Sequence, residues 1–261
     1  MALLAVGDLM LEVVRWRGTR PRPTLVLLHE GLGCVSMWQD FPARLHAASG
    51  LSVVAYSRAG YGQSSPIALP RPLDFHVREA LDVLPQLLDA VGIDDCILLG
   101  HSDGASIALV YAGAGQGARV RGLALLAPHV LTETKTVTNI RAAKRMFEAT
   151  DLRAKLARHH GTNVDCAFWG WCDAWLDPGF RHWSLEPYLT QIAIPVLTVR
   201  GDDDPYNTPV HVERIAAQVQ GPVTRIDLAH CGHAPHFEQS QQVLTHLSDF
   251  VDTVTVPPRA R

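Results

Sequence analysis

A glycine-flanked serine carries the clearest chemistry in this chain. Cys96-Ile97-Leu98-Leu99 reads as a compact apolar strand. It runs directly into Gly100-His101-Ser102-Asp103-Gly104 and then a helical stretch, Ser102–Ala112. G-x-S-x-G between a strand and a helix forces a sharp turn that strains the serine and lifts its hydroxyl above the sheet edge. Side chains at the two glycine positions would collide with neighbouring backbone. The helix end beneath offers free N–H groups and a positive dipole end, suited to a developing oxyanion. A serine hydroxyl is a weak nucleophile at neutral pH and needs a base oriented by an acid. Gly201-Asp202-Asp203-Asp204-Pro205 follows the strand pattern Pro195–Val199, and His230-Cys231-Gly232-His233-Ala234-Pro235-His236 follows Thr224–Leu228. Acid and base therefore come in the chain order this motif requires. By residue type alone, any of the three aspartates and His230, His233 or His236 can fill the two roles.

These residues need a scaffold that brings distant strand ends together. Leu9–Trp16 reads as a strand paired with Leu3–Val6 across Gly7-Asp8. Thr24–Leu28, after the Pro21-Arg22-Pro23 break, Leu51–Tyr56 and Gly122–Leu126 are further strands. Helical patterns lie between them at Trp38–Ser49, Asp74–Val91, Pro209–Val219 and Glu238–Val251. Such alternation predicts an α/β protein with a mostly parallel central sheet and helices on both faces, its site at the carboxyl ends of the strands. The interval Leu131–Leu189 breaks the pattern: Asn139–His160 and Asp165–Leu176 read as helices, with no strand. The chain thus divides into core residues 1–130, an insertion at 131–189, and core residues 190–261. The tail Val256-Pro257-Pro258-Arg259-Ala260-Arg261 reads as frayed.

The motifs together resemble the α/β-hydrolase family, over nearly the whole chain. Members often carry G-x-D-D after the seventh strand, with the second aspartate catalytic, and G-C-G-H after the eighth. The resemblance therefore implies Asp204 as the acid and His233 as the base for Ser102. It also implies an oxyanion loop at His29-Glu30-Gly31-Leu32-Gly33, with Gly31 as one N–H donor, Leu32 second in line, and Asp103 N–H as the other. Glu30 stands where the family usually has glycine. Either it turns outward or bonds a loop, or it lies near the pocket and repels anionic substrates. Ser57-Arg58-Ala59-Gly60-Tyr61-Gly62-Gln63-Ser64 resembles the family's D-x-x-G-x-G-x-S loop, with Ser57 in place of aspartate and a structural role. A serine at the elbow argues against the haloalkane dehalogenase and epoxide hydrolase branches, which use aspartate there.

By the same resemblance the insertion is a helical cap over Ser102. Phe168, Trp171 and Trp175 share one helical face. They glue the cap to the core, or Trp171 and Trp175, with Leu32, line an apolar pocket. Lys135, Arg141, Lys144, Arg145, Arg153, Lys155 and Arg158 make the first cap helix basic. This is a solvated face or a carboxylate-recognising one. Cys34 follows the oxyanion loop and reads as a buried inert thiol. The set Cys166, Cys172, His159 and His160 matches no zinc spacing, so no metal is expected. No G-x-G-x-x-G or P-loop appears, so no nucleotide cofactor is inferred.

The 261 residues suit one large domain with an insertion, and 47% apolar with 19% charged residues excludes a disordered chain. A net charge of -3 argues against a nucleic-acid partner. No apolar run reaches the length of about 18 residues expected of a membrane span, and no signal peptide is expected. Five cysteines, an odd number without regular spacing, point to reduced thiols and the cytoplasm. The expectation is a serine hydrolase of small-molecule esters. Its rivals are a carbon–carbon bond hydrolase of a ring-cleavage product and a small-molecule receptor with slow turnover. Thioester, lactone and amide substrates stay open, as does the oligomeric state.

Overall fold

The protein is described by a computed structural model over residues 2–19 and 23–255. The Pro21-Arg22 pair and the tail from Val256 lie outside the described residues. Eight strands form one sheet in the order β1-β2-β4-β3-β5-β6-β7-β8. They are β1 (Ala2–Val6), β2 (Leu9–Trp16), β3 (Thr24–Leu28), β4 (Ser52–Tyr56), β5 (Cys96–His101), β6 (Val120–Leu126), β7 (Val196–Gly201) and β8 (Val223–Leu228). The β1–β2 and β2–β4 pairs are antiparallel, and β4 to β8 run parallel. Each predicted strand is present within one or two residues of its expected bounds.

The sheet's interior strands are apolar on both faces because helices cover both. Leu25, Leu27, Ile97 and Leu99 point to one side, and Val26, Leu28 and Leu98 to the other, the two-residue alternation of a pleated strand. The first face packs on α1 (Phe41–Ser49) and, at the far end of the chain, Val243, Leu244, Leu247 and Phe250. The second packs on α2 (Phe75–Arg78) continuing through a π turn into α3 (Leu84–Val91), and on α4 (Asp103–Tyr111), buried along its whole length.

Between β6 and β7 lie α5 (Thr134–Ala149), α6 (Leu152–His160), α7 (Val164–Leu176) and α8 (Glu186–Leu189). Helices α5, α6 and α7 share an apolar cluster that includes Ile140, Phe147, Leu156, Phe168, Trp171 and Trp175, whereas Leu189 of α8 packs into the main core. The single helix expected over Asn139–His160 is two. Thr150 is extended, at φ −128° and ψ −172°. Its hydroxyl donates to Met146 O at 2.6 Å and accepts from Leu152 N–H at 3.2 Å. A side chain offering the backbone these partners competes with the helix and ends it. The helix also starts five residues earlier than expected, through Thr134-Lys135-Thr136-Val137-Thr138, a β-branched run of weak helix propensity. The chain ends with α9 (Val210–Gln218), α10 (Pro235–Glu238) and α11 (Ser240–Thr255). No described helix is long and apolar enough to cross a membrane.

Candidate active site

Ser102 sits between β5 and α4 at φ +52° and ψ −115°, a conformation that L-residues rarely adopt and that tight packing must hold. The packing is visible at the flanking glycines. A Cβ on Gly100 would strike Gly104 and Ala105 backbone, and one on Gly104 would strike the Leu28 carbonyl. The neighbouring loops carry the partners. His233 Nε2 is 3.0 Å from Ser102 Oγ, and His233 Nδ1 is 2.8 Å from Asp204 Oδ2. An ionised carboxylate only accepts, so Nδ1–H donates to it and Nε2 is left to accept from the serine hydroxyl.

Asp204 is fully buried. Burial alone would raise its pKa. Donation from His233 and from Tyr206 N–H outweighs that and holds the carboxyl below its usual range. The rival acids and bases are elsewhere. Asp203 and His230 are exposed and 3.9 Å apart. Asp202 is exposed too. His236 is buried against Trp38 and Phe41, and that burial drives its pKa well down. The structure therefore brings Ser102, His233 and Asp204 together and leaves the other four residues out.

Above the serine is a cavity of about 100 Å³, lined by Glu30, Gly31, Leu32, Ser102, Asp103, His129, Thr136, Ile140, Trp171, Trp175, Tyr206 and His233. The five expected oxyanion and pocket residues, Gly31, Asp103, Leu32, Trp171 and Trp175, all line it. Asp103 opens α4, where the first N–H groups have no partner within the helix. Gly31 has to be glycine, because a Cβ there would strike the Trp171 indole. Trp171 and Trp175 belong to the insertion's apolar cluster and also line the cavity. Phe168 does only the first, stacking on Phe147 at 3.7 Å.

Glu30 does not turn outward. It lines the cavity, 3.4 Å from His101 Nδ1. Burial would raise its pKa, but His101 outweighs that and keeps the carboxyl far down, so it is anionic. Asp103 is a second acid in the lining. Burial opposes its charge, yet His76 beside it holds it down to about 2. Trp175 Nε1–H donates to its Oδ1 at 3.3 Å. Among the described residues, no lysine or arginine lines the cavity. The basic residues of α5 and α6 mostly face solvent; Lys144, Arg153 and Lys155 pair with Asp173, Asp165 and Asp151. Nothing in the lining supports their reading as carboxylate receptors.

Four functional neighbours escape the motif reading. Arg58, buried, donates to His29 O at 2.6 Å and Glu30 O at 2.9 Å, so it pins the loop after β3. Its position in the Ser57–Ser64 motif is the signal that was available. His101 Nε2–H donates to His233 O at 2.8 Å. His129 lines the cavity as a neutral ring, since burial pushes its pKa well down. Tyr206 closes one wall, its ring 4.8 Å from that of His233. His101 lies inside the Gly100–Gly104 motif, but nothing in that motif indicates its bond to His233, and His129 and Tyr206 belong to no motif.

Cys34 is buried with Tyr61 and Ala167, and burial raises its pKa, which suits the inert thiol expected. His159, His160, Cys166 and Cys172 do not converge. His160 accepts from Gly62 N–H and donates to Leu32 O, while His159 bonds Ser36.

Comparison with known proteins bears on the family and the fold. A sequence model described as the Alpha/beta hydrolase family matches residues 25–245. The protein "Serine hydrolase BPHL" of Homo sapiens is 28% identical over 180 residues, covering 65% of this chain and 59% of that protein. The chain thus spans less than two thirds of that relative. Among solved structures, a bacterial membrane phospholipase A superposes with a TM-score of 0.78 at 22% identity, over 98% of this chain and 86% of the other. The enol-lactonase of Burkholderia xenovorans gives a TM-score of 0.73 at 19% identity, over 95% and 99%. At such identities the two structures speak for the fold.

Proposed function

The chain belongs to the α/β hydrolase family, and we propose that it is a serine hydrolase cleaving a small-molecule ester. One observation carries this reading: the unbroken contact from the buried Asp204 carboxylate through His233 to the Ser102 hydroxyl. Ser102 Oγ attacks the ester carbonyl carbon while its proton passes to His233 Nε2. Asp204 keeps the imidazole in the required tautomer and stabilises the imidazolium. The N–H groups of Gly31 and Asp103 receive the oxyanion. His233 then protonates the leaving alcohol, and water, with His233 as base, releases the acyl group.

Segment 131–189 acts as the cap, and its Trp171 and Trp175 rings shape the acyl pocket. The cavity volume of about 100 Å³ favours a small acyl group. The acidic lining weighs against the carbon–carbon reading, because oxidative ring cleavage produces carboxylates. Five free cysteines support a reducing compartment such as the cytoplasm.

The test is turnover of a short chromogenic ester with many cycles per enzyme, together with mass-spectrometric capture of a phosphonate on Ser102. Ser102→Ala and His233→Ala should each lose about a thousandfold or more in kcat, and the double variant should be little worse, because the residues act as a unit. Additive losses would sink the assignment. A single turnover followed by tight product retention would favour a receptor.

A further inference from the structure

The residues that hold the Asp204 loop come from the insertion. We infer that the start of α5 is a positioning element for Asp204, so that the insertion sets the acid of the triad besides roofing the pocket. This rests on Asp204 being the acid.

The loop after β7 has a hydrogen-bonding problem. Asp204 Oδ2 accepts from His233, and Oδ1 accepts from Tyr206 N–H at 2.7 Å and Asn207 N–H at 3.3 Å. Asp204 and Asn207 are buried, and a buried backbone oxygen without a donor is costly; the carbonyls of this stretch find donors on one neighbouring helix. Side chains of α5 supply them. Lys135 Nζ donates to Asp204 O at 2.6 Å and Asn207 O at 3.3 Å. Asn139 Nδ2 donates to Pro205 O at 2.7 Å, and Thr136 Oγ1 donates to Tyr206 O at 2.5 Å. Every carbonyl from 204 to 207 therefore accepts from one helix of the insertion.

Glu133, just before that helix, holds the next part of the loop. It accepts from Thr208 N–H at 3.0 Å, from Thr208 Oγ1 at 2.7 Å and from His211 Nε2–H at 2.7 Å. Burial would raise its pKa, but His211 and Thr208 outweigh that and hold it down to about 2. His211 in turn accepts from Val130 N–H at 3.1 Å, beside the end of β6. The acid loop is thus clamped to the root of the insertion along its length. Lys135 is the direct link, because its ammonium rests on the carbonyl of the acid residue itself.

A double-mutant cycle separates positioning from mere fastening. Thr136 lines the cavity, so it is left intact. The pair Lys135→Met and Asn139→Leu is made in the native chain and in Asp204→Asn, and kcat and KM are measured on an acetyl ester and a bulkier one. Positioning through Asp204 predicts a loss of about tenfold or more in kcat, equal on both esters, with KM within about twofold. In the Asp204→Asn background the same pair should change kcat by less than about twofold. Lys135→Arg, which keeps a donor, should recover much of the rate lost in Lys135→Met.

Full activity of the pair overturns the inference. So does a loss that repeats in the Asp204→Asn background, or one confined to the bulkier ester. Should circular dichroism show the pair unfolded, Lys135→Met and Asn139→Ala taken singly complete the same cycle. An active Asp204→Asn would overturn the acid assignment and this inference together. An inactive Asp204→Asn beside an unaffected pair overturns only the positioning.

Discussion

Three consecutive aspartates follow β7, and their surroundings separate them. Asp204 is fully buried with both oxygens engaged, whereas Asp202 and Asp203 are exposed. Asp204→Asn should therefore lose kcat by roughly ten-thousandfold, as when a triad histidine is held in the wrong tautomer. Asp202→Asn and Asp203→Asn should stay within a few-fold, and steady-state kinetics on one ester distinguishes all three. Glu30 makes a second prediction. As an anion in a cavity that no described lysine or arginine lines, it should repel substrate carboxylates. Glu30→Gln should raise kcat/KM for a carboxylate-bearing ester, relative to its neutral isostere, by about tenfold, equivalent to about 1.4 kcal/mol. An unchanged ratio would mean that substrates bind away from Glu30.

The elements divide the labour between rigid core and insertion. Strand β5 and helix α4 hold Ser102, because a positive φ survives only where close packing enforces it. The insertion contributes two different surfaces. Helix α7 presents Trp171 to the cavity, and α5 holds the acid loop. Trp171→Ala should change the kcat/KM ratio of bulky to acetyl esters by roughly tenfold or more, about 1–3 kcal/mol of discrimination. Because Trp171 also belongs to the insertion's cluster, the melting temperature should fall too, in line with about 3–5 kcal/mol for truncating a buried aromatic. Equal loss on all esters would leave Trp171 a packing residue alone. The α5 variants should show the opposite signature, equal loss on all esters and an unchanged ratio.

Buried imidazoles are spread through the whole molecule. Burial pushes His29, His129 and His236 well below 6.5. In the unfolded chain these histidines regain their ordinary affinity for protons. Below pH 6.5 the unfolded state thus binds more protons than the native one, and stability falls as pH falls. Each contributes up to about 1.4 kcal/mol per pH unit. Urea midpoints should therefore drop between pH 7.5 and 5.5, above the carboxylate range. A second loss belongs to Asp103 and Glu133, both held to about 2. Their contribution is complete above about pH 4.5 and disappears as pH falls towards 2. A flat midpoint down to pH 5 would mean that the histidines are not neutral in the native state.

Local patterns were enough to read the strands, the elbow and the triad types. Alternating apolar residues and glycines beside Ser102 act through the chain's own geometry, so spacing alone exposes them. The family resemblance narrowed three aspartates and three histidines to Asp204 and His233, and in the folded chain His233 lies in contact with both Asp204 and Ser102. What the sequence could not determine depends on residues far apart in the chain. Glu30 faces the cavity because His101 and Arg58 hold its loop, and neither contact follows from its neighbours. The break at Thr150 is a local exception: its hydroxyl finds two backbone partners within four residues, and residue type alone does not show that it takes them. The charge run on α5 looks like a solvated face, and for most of its residues it is one. Lys135 differs only because folding brings an acid loop, distant in sequence, against that helix turn. Periodicity reports which face of an element is apolar, and the partner that satisfies a single polar group is decided only when the elements pack.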